Sequence, residues 1–247
     1  MRQVTIITVC YNSQSTIQAT IESVLQQTYL NIEYIIVDGG STDNTLNIID
    51  RYRNIFGNRL VVISEQDSGI YDAMNKGILK AHGELIGILN SDDFYERNAV
   101  ENIVNNMRSE KYQILYGFVR AWKEGKEYGI SRLSHEFMKE RMIGHPACFV
   151  TKSTYSTYGM FDVQYPCVAD YDFMLRMLEK KDVFFVPVNE IIANFRMGGV
   201  SASEKAWLDL LNLKKNHKLI SKRKYQWEIL KGKIYHFAKR IVKCLIT

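Results

Sequence analysis

VTIITVCYNSQSTIQATIESVL, residues 4–25, sets the pattern on which the first hundred residues are built. An apolar, β-branched run over residues 4–11 predicts a strand, and after a polar turn Ile17, Ile21 and Val24 recur at helical spacing. Alternation of a strand with an amphipathic helix predicts a parallel sheet with crossover helices. The other predicted elements of this region are strands at residues 33–40, 60–65 and 84–90, a helix after the second strand with Leu46 and Ile49 inward, and a helix over residues 71–81.

Each of these predicted strands ends in a cluster of polar residues. Because the carboxyl ends of parallel strands lie at one edge of a sheet, where ligands bind in open α/β folds, we expect the clusters to form one crevice. Five carboxylates fall in or just after the clusters, namely Asp38, Asp67, Asp72, Asp92 and Asp93.

So much negative charge would repel a phosphorylated ligand unless a cation lay between them. The two common phosphate-binding glycine loops, GxGxxG and GxxxxGK(S/T), are absent from the sequence. Mn²⁺ or Mg²⁺ binds carboxylate oxygens on one side and diphosphate oxygens on the other. The sequence therefore predicts a diphosphate site that depends on one of these cations.

The composition is that of a globular chain, with 247 residues of which 46% are hydrophobic and 24% charged. It excludes collagenous, low-complexity and largely disordered proteins. No apolar run approaches the roughly 18 residues of a membrane span. The N-terminus has the pattern of a strand and no signal-peptide cleavage site, so we expect a cytoplasmic protein. The four cysteines lack metal-binding spacing, and we expect neither disulfides nor structural zinc.

The net positive charge of the chain is concentrated in its last 43 residues. Residues 205–247 contain 12 Lys and Arg against 2 Asp and Glu, whereas residues 1–204 are mildly acidic. From Trp227 onwards the sequence predicts a helix with an apolar and a basic face, which is typical of binding to an anionic membrane surface. The alternative is that this helix packs on the rest of the protein. The segment contains no nucleic-acid recognition motif, so we expect no nucleic-acid binding. The apolar face comprises Leu230, Ile234, Phe237, Ala238, Ile241 and Leu245, and the basic face Lys233, Lys239, Arg240 and Lys243.

Five segments in order resemble the motif series of family 2 glycosyltransferases: TVCYN, VDGGSTDNT, DSGIYDAMNKG, GELIGILNSDDFY and VADYDFMLRM. The resemblance covers roughly residues 3–200. It implies an α/β GT-A fold, with a Rossmann-like, mostly parallel sheet flanked by helices. It also implies transfer of a sugar from a nucleotide diphosphate sugar to an acceptor hydroxyl, with inversion at the anomeric carbon. The predicted organisation is a domain over residues 1–204, with its nucleotide-sugar half at about 1–96 and its acceptor half at about 97–204, and a basic helical tail over 205–247.

The resemblance places the nucleobase site at the ends of the first strands. Thr8 and Tyr11 should border the base, and Asp38 should accept a hydrogen bond from it. The alternative for Asp38 is a carboxylate that only caps the next turn. Asp67 matches a position near the base or ribose.

The resemblance also places the sugar and the cation. Asp72 and Asn75 match positions near the ribose or donor sugar, although Asp72 is equally well explained as a first-turn charge favoured by the helix dipole. In the Ser91-Asp92-Asp93 sequence, the last residue matches the cation ligand and Asp92 the residue that reaches the ribose or sugar.

The family's base is the Asp of a Glu-Asp pair that opens a helix, and here the pair reads Ala169-Asp170, so the Glu is missing. Asp170 and Asp172 are about 200° apart around a helix over residues 170–180, so both cannot face one substrate. We therefore expect Asp170 to be the catalytic base, with a helix N-cap as its alternative role. Asp172 is expected to pair with Arg176 on the exposed side.

Two further residues are weaker candidates. His145 precedes a predicted strand and is expected either to line the acceptor or diphosphate side or to be structural. Arg196 and the glycines at 198–199 follow a predicted pair of short strands, residues 183–188 and 191–197, and could close over the donor.

These observations favour an enzyme that transfers a single hexosyl or N-acetylhexosaminyl unit. The QxxRW sequence typical of processive polysaccharide synthases is absent. We expect a donor such as a UDP-sugar and a glycan or lipid-linked acceptor used for bacterial surface polysaccharide, at the inner face of the cell membrane. A nucleotidyltransferase or a non-catalytic nucleotide-sugar-binding scaffold are the alternatives.

Overall fold

The computed structural model describes residues 1–198 and 203–232. They belong to two compact units. The first unit holds residues 1–164 and 169–198, and the second holds residues 165–168 and the chain that follows residue 198. The strands and most of the predicted site lie in the first unit.

The first unit contains strands β1 (Val4–Cys10), β2 (Ile32–Asp38), β3 (Leu60–Ser64), β4 (Leu85–Ile88), β5 (Phe94–Tyr95), β6 (Tyr112–Lys123), β7 (Lys126–Ser131), β8 (Cys148–Thr151) and β9 (Val183–Arg196). Its helices are α1 (Ile17–Leu25), α2 (Thr45–Asp50), α3 (Arg53–Phe56), α4 (Ile70–Lys80), α5 (Ala99–Asn105), α6 (Lys152–Tyr158) and α7 (Ala169–Leu178). The strands form one sheet in the order β3-β2-β1-β4-β8-β6-β9-β5, and β7 pairs with β6.

The half of the sheet formed by β3, β2, β1 and β4 is entirely parallel, as the strand and helix alternation predicts. β1 and β2 are buried along their whole length because helices cover the sheet. A side chain at Gly77 of α4 would meet Ile7 of β1, so the glycine lets α4 lie close to the sheet. The carboxyl ends of these four strands consequently share one edge.

The other half of the sheet is mixed. β8 runs antiparallel to β4 and β6, whereas β9 runs parallel to β6. The prediction of two short strands at 183–188 and 191–197 is wrong, because β9 is continuous from Val183 to Arg196. Register shifts along β6 near Phe118 absorb the polar residues between the two apolar runs.

The second unit contains α8 (Glu204–Asn216) and a further helix, α9 (222–232). The hydroxyl of Ser203 caps α8 by accepting a hydrogen bond from the Ala206 amide at 3.1 Å. The two helices contact each other, since a side chain at Gly232 would meet the Trp207 ring. The part of the predicted tail beyond residue 232, with its remaining apolar and basic positions, lies outside the described residues, as does Gly199. Every helix in residues 1–198 and 203–232 is too short or too polar to span a bilayer.

Candidate active site

The loops after β1 and β4 are fastened together at the carboxyl edge of the sheet. The hydroxyls of Ser13 and Ser91 are 2.8 Å apart, and the Thr20 hydroxyl of α1 donates to the backbone carbonyls of Ser91 and Asp93 at 3.0 and 2.7 Å. The segment that contains Asp92 and Asp93 is therefore held by residues that follow the first strand. This is the convergence of strand ends that the sequence predicts.

Asp38 is fully buried at the end of β2. Its carboxylate accepts hydrogen bonds from the amides of Gly40 and Ser41 at 3.2 and 3.1 Å, from the Ser64 hydroxyl at 2.7 Å and from the Ser41 hydroxyl. Gly40 has a positive φ of 83°, which permits this tight turn. The capping role is thus present in the structure, and a contact with a nucleobase stays a prediction.

The two residues predicted to border the base lie in different surroundings. Thr8 is fully buried in β1, and its hydroxyl accepts a hydrogen bond from Tyr34 at 3.0 Å. Tyr11 follows the strand and is 62% exposed. Of this pair, Tyr11 is the residue whose ring is open to a ligand.

Asp67 and Asp72 organise the turn that opens α4. Asp67 accepts a hydrogen bond from the Gly69 amide at 2.8 Å, and its carboxylate lies against Gly39, where a side chain would collide with it. Asp72 accepts from the Ser68 amide at 2.9 Å and pairs with Lys76 at 3.4 Å. The first-turn role of Asp72 is therefore present, and its contact with a sugar stays a prediction.

Asn75 joins α4 to the loop before α7. Its side-chain nitrogen donates to the Phe161 carbonyl at 2.9 Å, and its side-chain oxygen accepts from the Phe161 amide at 3.1 Å. The amide group of Asn75 is engaged in this bidentate contact, so its predicted place beside the donor sugar would require sharing those atoms with the ligand.

Asp92 and Asp93 are held by the end of β9. The pairing of β5 with β9 places Arg196 beside them, where its amide donates to Asp93 Oδ1 at 3.0 Å and its guanidinium donates to the Asp92 carbonyl at 2.6 Å. The guanidinium also lies 5.0 Å from the centre of the Phe94 ring. Arg196 is thus committed to this turn in the structure.

Two buried oxygens at this turn, Asp93 Oδ2 and Asn90 Oδ1, accept no hydrogen bond from the described part of the chain. Burial, reinforced by the charge of Asp92, raises the pKa of Asp93 to about 8. Burial also raises the pKa of Asp92. A cation would offset the charge and supply the missing partner, so these residues fit Mn²⁺ or Mg²⁺.

These oxygens would supply only part of the coordination of a cation. No cluster of three or more His, Cys, Asp or Glu side chains suited to a metal occurs in residues 1–198 and 203–232. Mg²⁺ is usually bound through one or two carboxylates, with substrate phosphates and water as its other ligands. The donor set therefore suits a cation that arrives with a diphosphate.

Asp170 lies in the first turn of α7. Its Oδ1 accepts hydrogen bonds from the Tyr71 hydroxyl at 2.7 Å and from the Tyr171 amide at 2.9 Å. His145 is buried close enough to interact with this carboxylate, and burial lowers the pKa of its imidazole. The structure thus brings Asp170, Tyr71 and His145 together.

Asp172 faces away from this group, as helical geometry predicts, and pairs with Arg176 at 2.7 Å. The expectation that this pair is exposed is wrong, because Asp172 is 4% exposed. The Arg176 guanidinium also donates to the carbonyls of Tyr158 and Met160 at 3.2 and 2.6 Å, so the loop before α7 covers the pair.

Sequence reasoning missed two residues of the site. Asn90 is the first residue of the NSDD sequence. Its side-chain oxygen, close in sequence to two carboxylates, was the signal that could have identified it as a further candidate ligand. Tyr71 gave no signal, because an aromatic residue at an inward position of α4 has the pattern of a core residue.

The sheet order and the carboxylates at the ends of its parallel strands agree with the GT-A fold and the glycosyltransferase class that the sequence motifs predict. Residues 5–181 match the family described as Glycosyl transferase family 2. Because this match spans more than half of the chain, the protein belongs to that family.

Two curated relatives are similar over most of their lengths. A PGL/p-HBAD biosynthesis glycosyltransferase of Mycobacterium bovis is 29% identical over 193 residues, which cover 77% of this chain and 75% of the relative. A UDP-Glc:alpha-D-GlcNAc-diphosphoundecaprenol beta-1,3-glucosyltransferase, WfaP of Escherichia coli, is 32% identical over 185 residues, which cover 73% and 72%.

Solved structures share the fold. S. aureus TarS 1-349 in complex with UDP-GlcNAc has a TM-score of 0.68 at 15% identity, over 96% of this chain and 73% of TarS. The mannosyltransferase PcManGT from Pyrobaculum calidifontis, in complex with GDP-Man and Mn²⁺, has a TM-score of 0.65 at 16% identity, over 95% and 69%.

Proposed function

We propose that this glycosyltransferase moves a single hexosyl or N-acetylhexosaminyl unit from a UDP-sugar to a hydroxyl of a lipid-linked glycan, with inversion at the anomeric carbon. The observation that carries the proposal is the pair of buried oxygens on Asn90 and Asp93, at the strand-end edge of the sheet, that residues 1–198 and 203–232 leave without a hydrogen bond. Support for the substrates comes from the relative whose name gives UDP-Glc and a diphosphoundecaprenol acceptor, and from a fold neighbour that binds UDP-GlcNAc.

In the proposed reaction the acceptor oxygen forms a bond with C1 of the sugar while the bond from C1 to the diphosphate oxygen breaks on the opposite face. Asp170 takes the acceptor hydroxyl proton, and the nucleoside diphosphate leaves with the bonding electron pair. Mn²⁺ or Mg²⁺, when bound, would supply Lewis-acid stabilisation of the charge on the leaving diphosphate. Asp93 and Asn90 would hold the cation, Asp92 would reach the ribose or sugar, and Arg196 would fix their turn.

The nucleotide would lie along the ends of β1 and β2. Tyr11, with its open ring, would border the nucleobase, and Asp38 and Asp67 would shape the turns around it. His145, kept neutral by burial, would line the acceptor side next to Asp170.

We expect UDP-sugar binding to require a divalent cation, because the carboxylates of the crevice repel a bare diphosphate. Titration calorimetry with UDP-, GDP- and dTDP-sugars in Mn²⁺ and in EDTA measures this directly. Affinity for the UDP-sugar should fall at least about tenfold in EDTA. Equal affinity in both buffers would contradict the cation site, and binding without transfer or donor hydrolysis would favour a scaffold.

The same proposal places the enzyme on the inner face of the membrane through its basic tail. Trp227 and Leu230 of α9 are 56% and 48% exposed, although α9 contacts α8 through Gly232 and Trp207. Exposed apolar residues beside a run of Lys and Arg suit insertion at an anionic lipid surface.

Replacing both Trp227 and Leu230 by alanine should weaken binding to anionic vesicles and leave the melting temperature unchanged, since both side chains are exposed. Deleting residues 222–247 should abolish most vesicle binding but also lower the melting temperature by several degrees, because α8 loses its contact with α9. Co-sedimentation at low and high salt measures both variants. Leu79→Ala, an exposed leucine of α4, is the matched control. Wild-type vesicle affinity in the double variant would favour the packed-helix alternative.

A further inference from the structure

Tyr71 links the donor-side helix α4 to the predicted base on α7. The residue lies in the first turn of α4, directly after the DSG turn, and its side chain is 7% exposed. Its hydroxyl nevertheless reaches a carboxylate 99 residues further along the chain, donating to Asp170 Oδ1 at 2.7 Å. A hydrogen bond to an ionised group is roughly twice as strong as one between neutral groups.

The geometry at Asp170 distinguishes its two oxygens. Both hydrogen bonds that the described residues give to this carboxylate, from the Tyr71 hydroxyl and the Tyr171 amide, end on Oδ1. Two donors on one oxygen fix the rotation of the carboxylate about its side-chain bond. Oδ2 is then the oxygen available to take a proton from an acceptor.

The Tyr71 ring is itself fixed by the loop between α6 and α7. It packs on Phe161 with the ring centres 5.5 Å apart. The backbone of Phe161 is held by the bidentate contact with Asn75, and Arg176 holds the carbonyls of Tyr158, the last residue of α6, and Met160 of the same loop. The hydroxyl is therefore presented by a rigid support, as positioning of a catalytic group requires.

We propose that Tyr71 is the positioning residue of the catalytic base: its hydroxyl holds Asp170 Oδ1 so that Oδ2 faces the acceptor hydroxyl. The inference rests on the proposed function, in which Asp170 is the base. Tyr71 and the donor-site residues Asp67 and Asp72 belong to one short segment. The orientation of the base is consequently tied to the segment that shapes the donor site.

Two further titratable groups interact with Asp170, and both lie at or just before the start of β8. They are the imidazole of His145 and the thiol of Cys148. Burial lowers the pKa of His145 and raises that of Cys148, so both are neutral near pH 7. Removal of the Tyr71 hydroxyl therefore takes one hydrogen bond away from the Asp170 carboxylate and leaves the local charge unaltered.

The test is Tyr71→Phe, which keeps the ring and its packing on Phe161 but removes the hydroxyl. We expect kcat to fall about tenfold, with unchanged affinity for the donor in calorimetry. The loss should therefore appear in kcat and not in the KM for the donor, which separates positioning of the base from a general effect on the fold. Tyr52→Phe is the matched control, because the Tyr52 hydroxyl donates to the Glu22 carboxylate at the same 2.7 Å distance, away from the site.

Asp170→Asn and the double variant separate this inference from the proposed function. If Tyr71 acts through Asp170, the Tyr71→Phe effect should disappear in the Asp170→Asn background. An inactive Asp170→Asn enzyme combined with a Tyr71→Phe enzyme of wild-type kcat would overturn the positioning role alone. An active Asp170→Asn enzyme would overturn the base assignment, and the positioning role with it.

Discussion

Replacing Asp170 by asparagine is expected to reduce sugar transfer by about 100-fold or more while leaving donor affinity nearly unchanged. A positioned general base typically contributes this much to the rate, and asparagine keeps the shape but cannot take the proton. The substitution also preserves an acceptor oxygen for the Tyr71 hydroxyl, so the fold around α7 should be retained. Transfer assays together with calorimetry of UDP-sugar binding measure both halves of the prediction.

Asp172→Asn is the matched control on the same helix. Its carboxylate pairs with Arg176 under the loop before α7, so the variant should lose stability and melt several degrees earlier. Its transfer rate per folded molecule should remain near that of the wild type. If Asp172→Asn were the inactive variant and Asp170→Asn the active one, the two roles would have to be exchanged.

The substitution Asp93→Asn is expected to reduce the cation-supported turnover rate by about 100-fold or more and to weaken nucleotide binding in Mg²⁺. A ligand to the cation helps to offset the charge of the leaving diphosphate, and such stabilisation contributes several kcal/mol. Asp50→Asn, an exposed aspartate of α2 that pairs with Arg53, is the control and should behave as the wild type. Normal turnover in Asp93→Asn would show that Asp93 is not a cation ligand.

The same residue predicts a pH dependence of stability. The pKa of Asp93 in the folded protein is raised to about 8, so without a cation the folded state holds a proton that the unfolded state has lost. The contribution of Asp93 to the free energy of unfolding is fully present below the ordinary carboxylate pKa and is lost as pH rises towards about 8. In EDTA, melting temperatures should therefore fall with pH more steeply in the wild type than in Asp93→Asn.

A cation competes with this proton for the carboxylate. Mg²⁺ should consequently raise the melting temperature of the wild type more at pH 8 than at pH 5.5 and should not do so in Asp93→Asn. A thermal-shift series in both buffers measures the difference. An equal effect of Mg²⁺ on both proteins would argue against binding at this carboxylate.

Local periodicity in the sequence is enough to predict one half of the fold. Runs of β-branched residues predicted the strands that became β1 to β4, and the helical spacing after them predicted α1 and α4 within a few residues. Parallel strands joined by helices must end at one edge, so the convergence of Asp38 and Asp93 near that edge also followed from the sequence.

The length of β9 and the surroundings of Asp172 depend on packing between segments and could not be predicted from the sequence. Asn189 and Glu190 interrupt the apolar pattern, and only the shifted pairing with β6 carries the strand across them. Helical geometry correctly turned Asp172 away from Asp170, but the loop that precedes α7 folds over the helix and buries it.

The hydrogen-bond partners of the site residues likewise could not be predicted from the sequence. Tyr71 reaches Asp170 across 99 residues, Asn75 reaches Phe161 across 86, and the Arg196 amide reaches Asp93 across 103. Local spacing fixes which residues share a helix face or a strand end, because backbone geometry repeats over a few residues. The distance between side chains so far apart in the chain is set only when the packed sheet and helices bring them together.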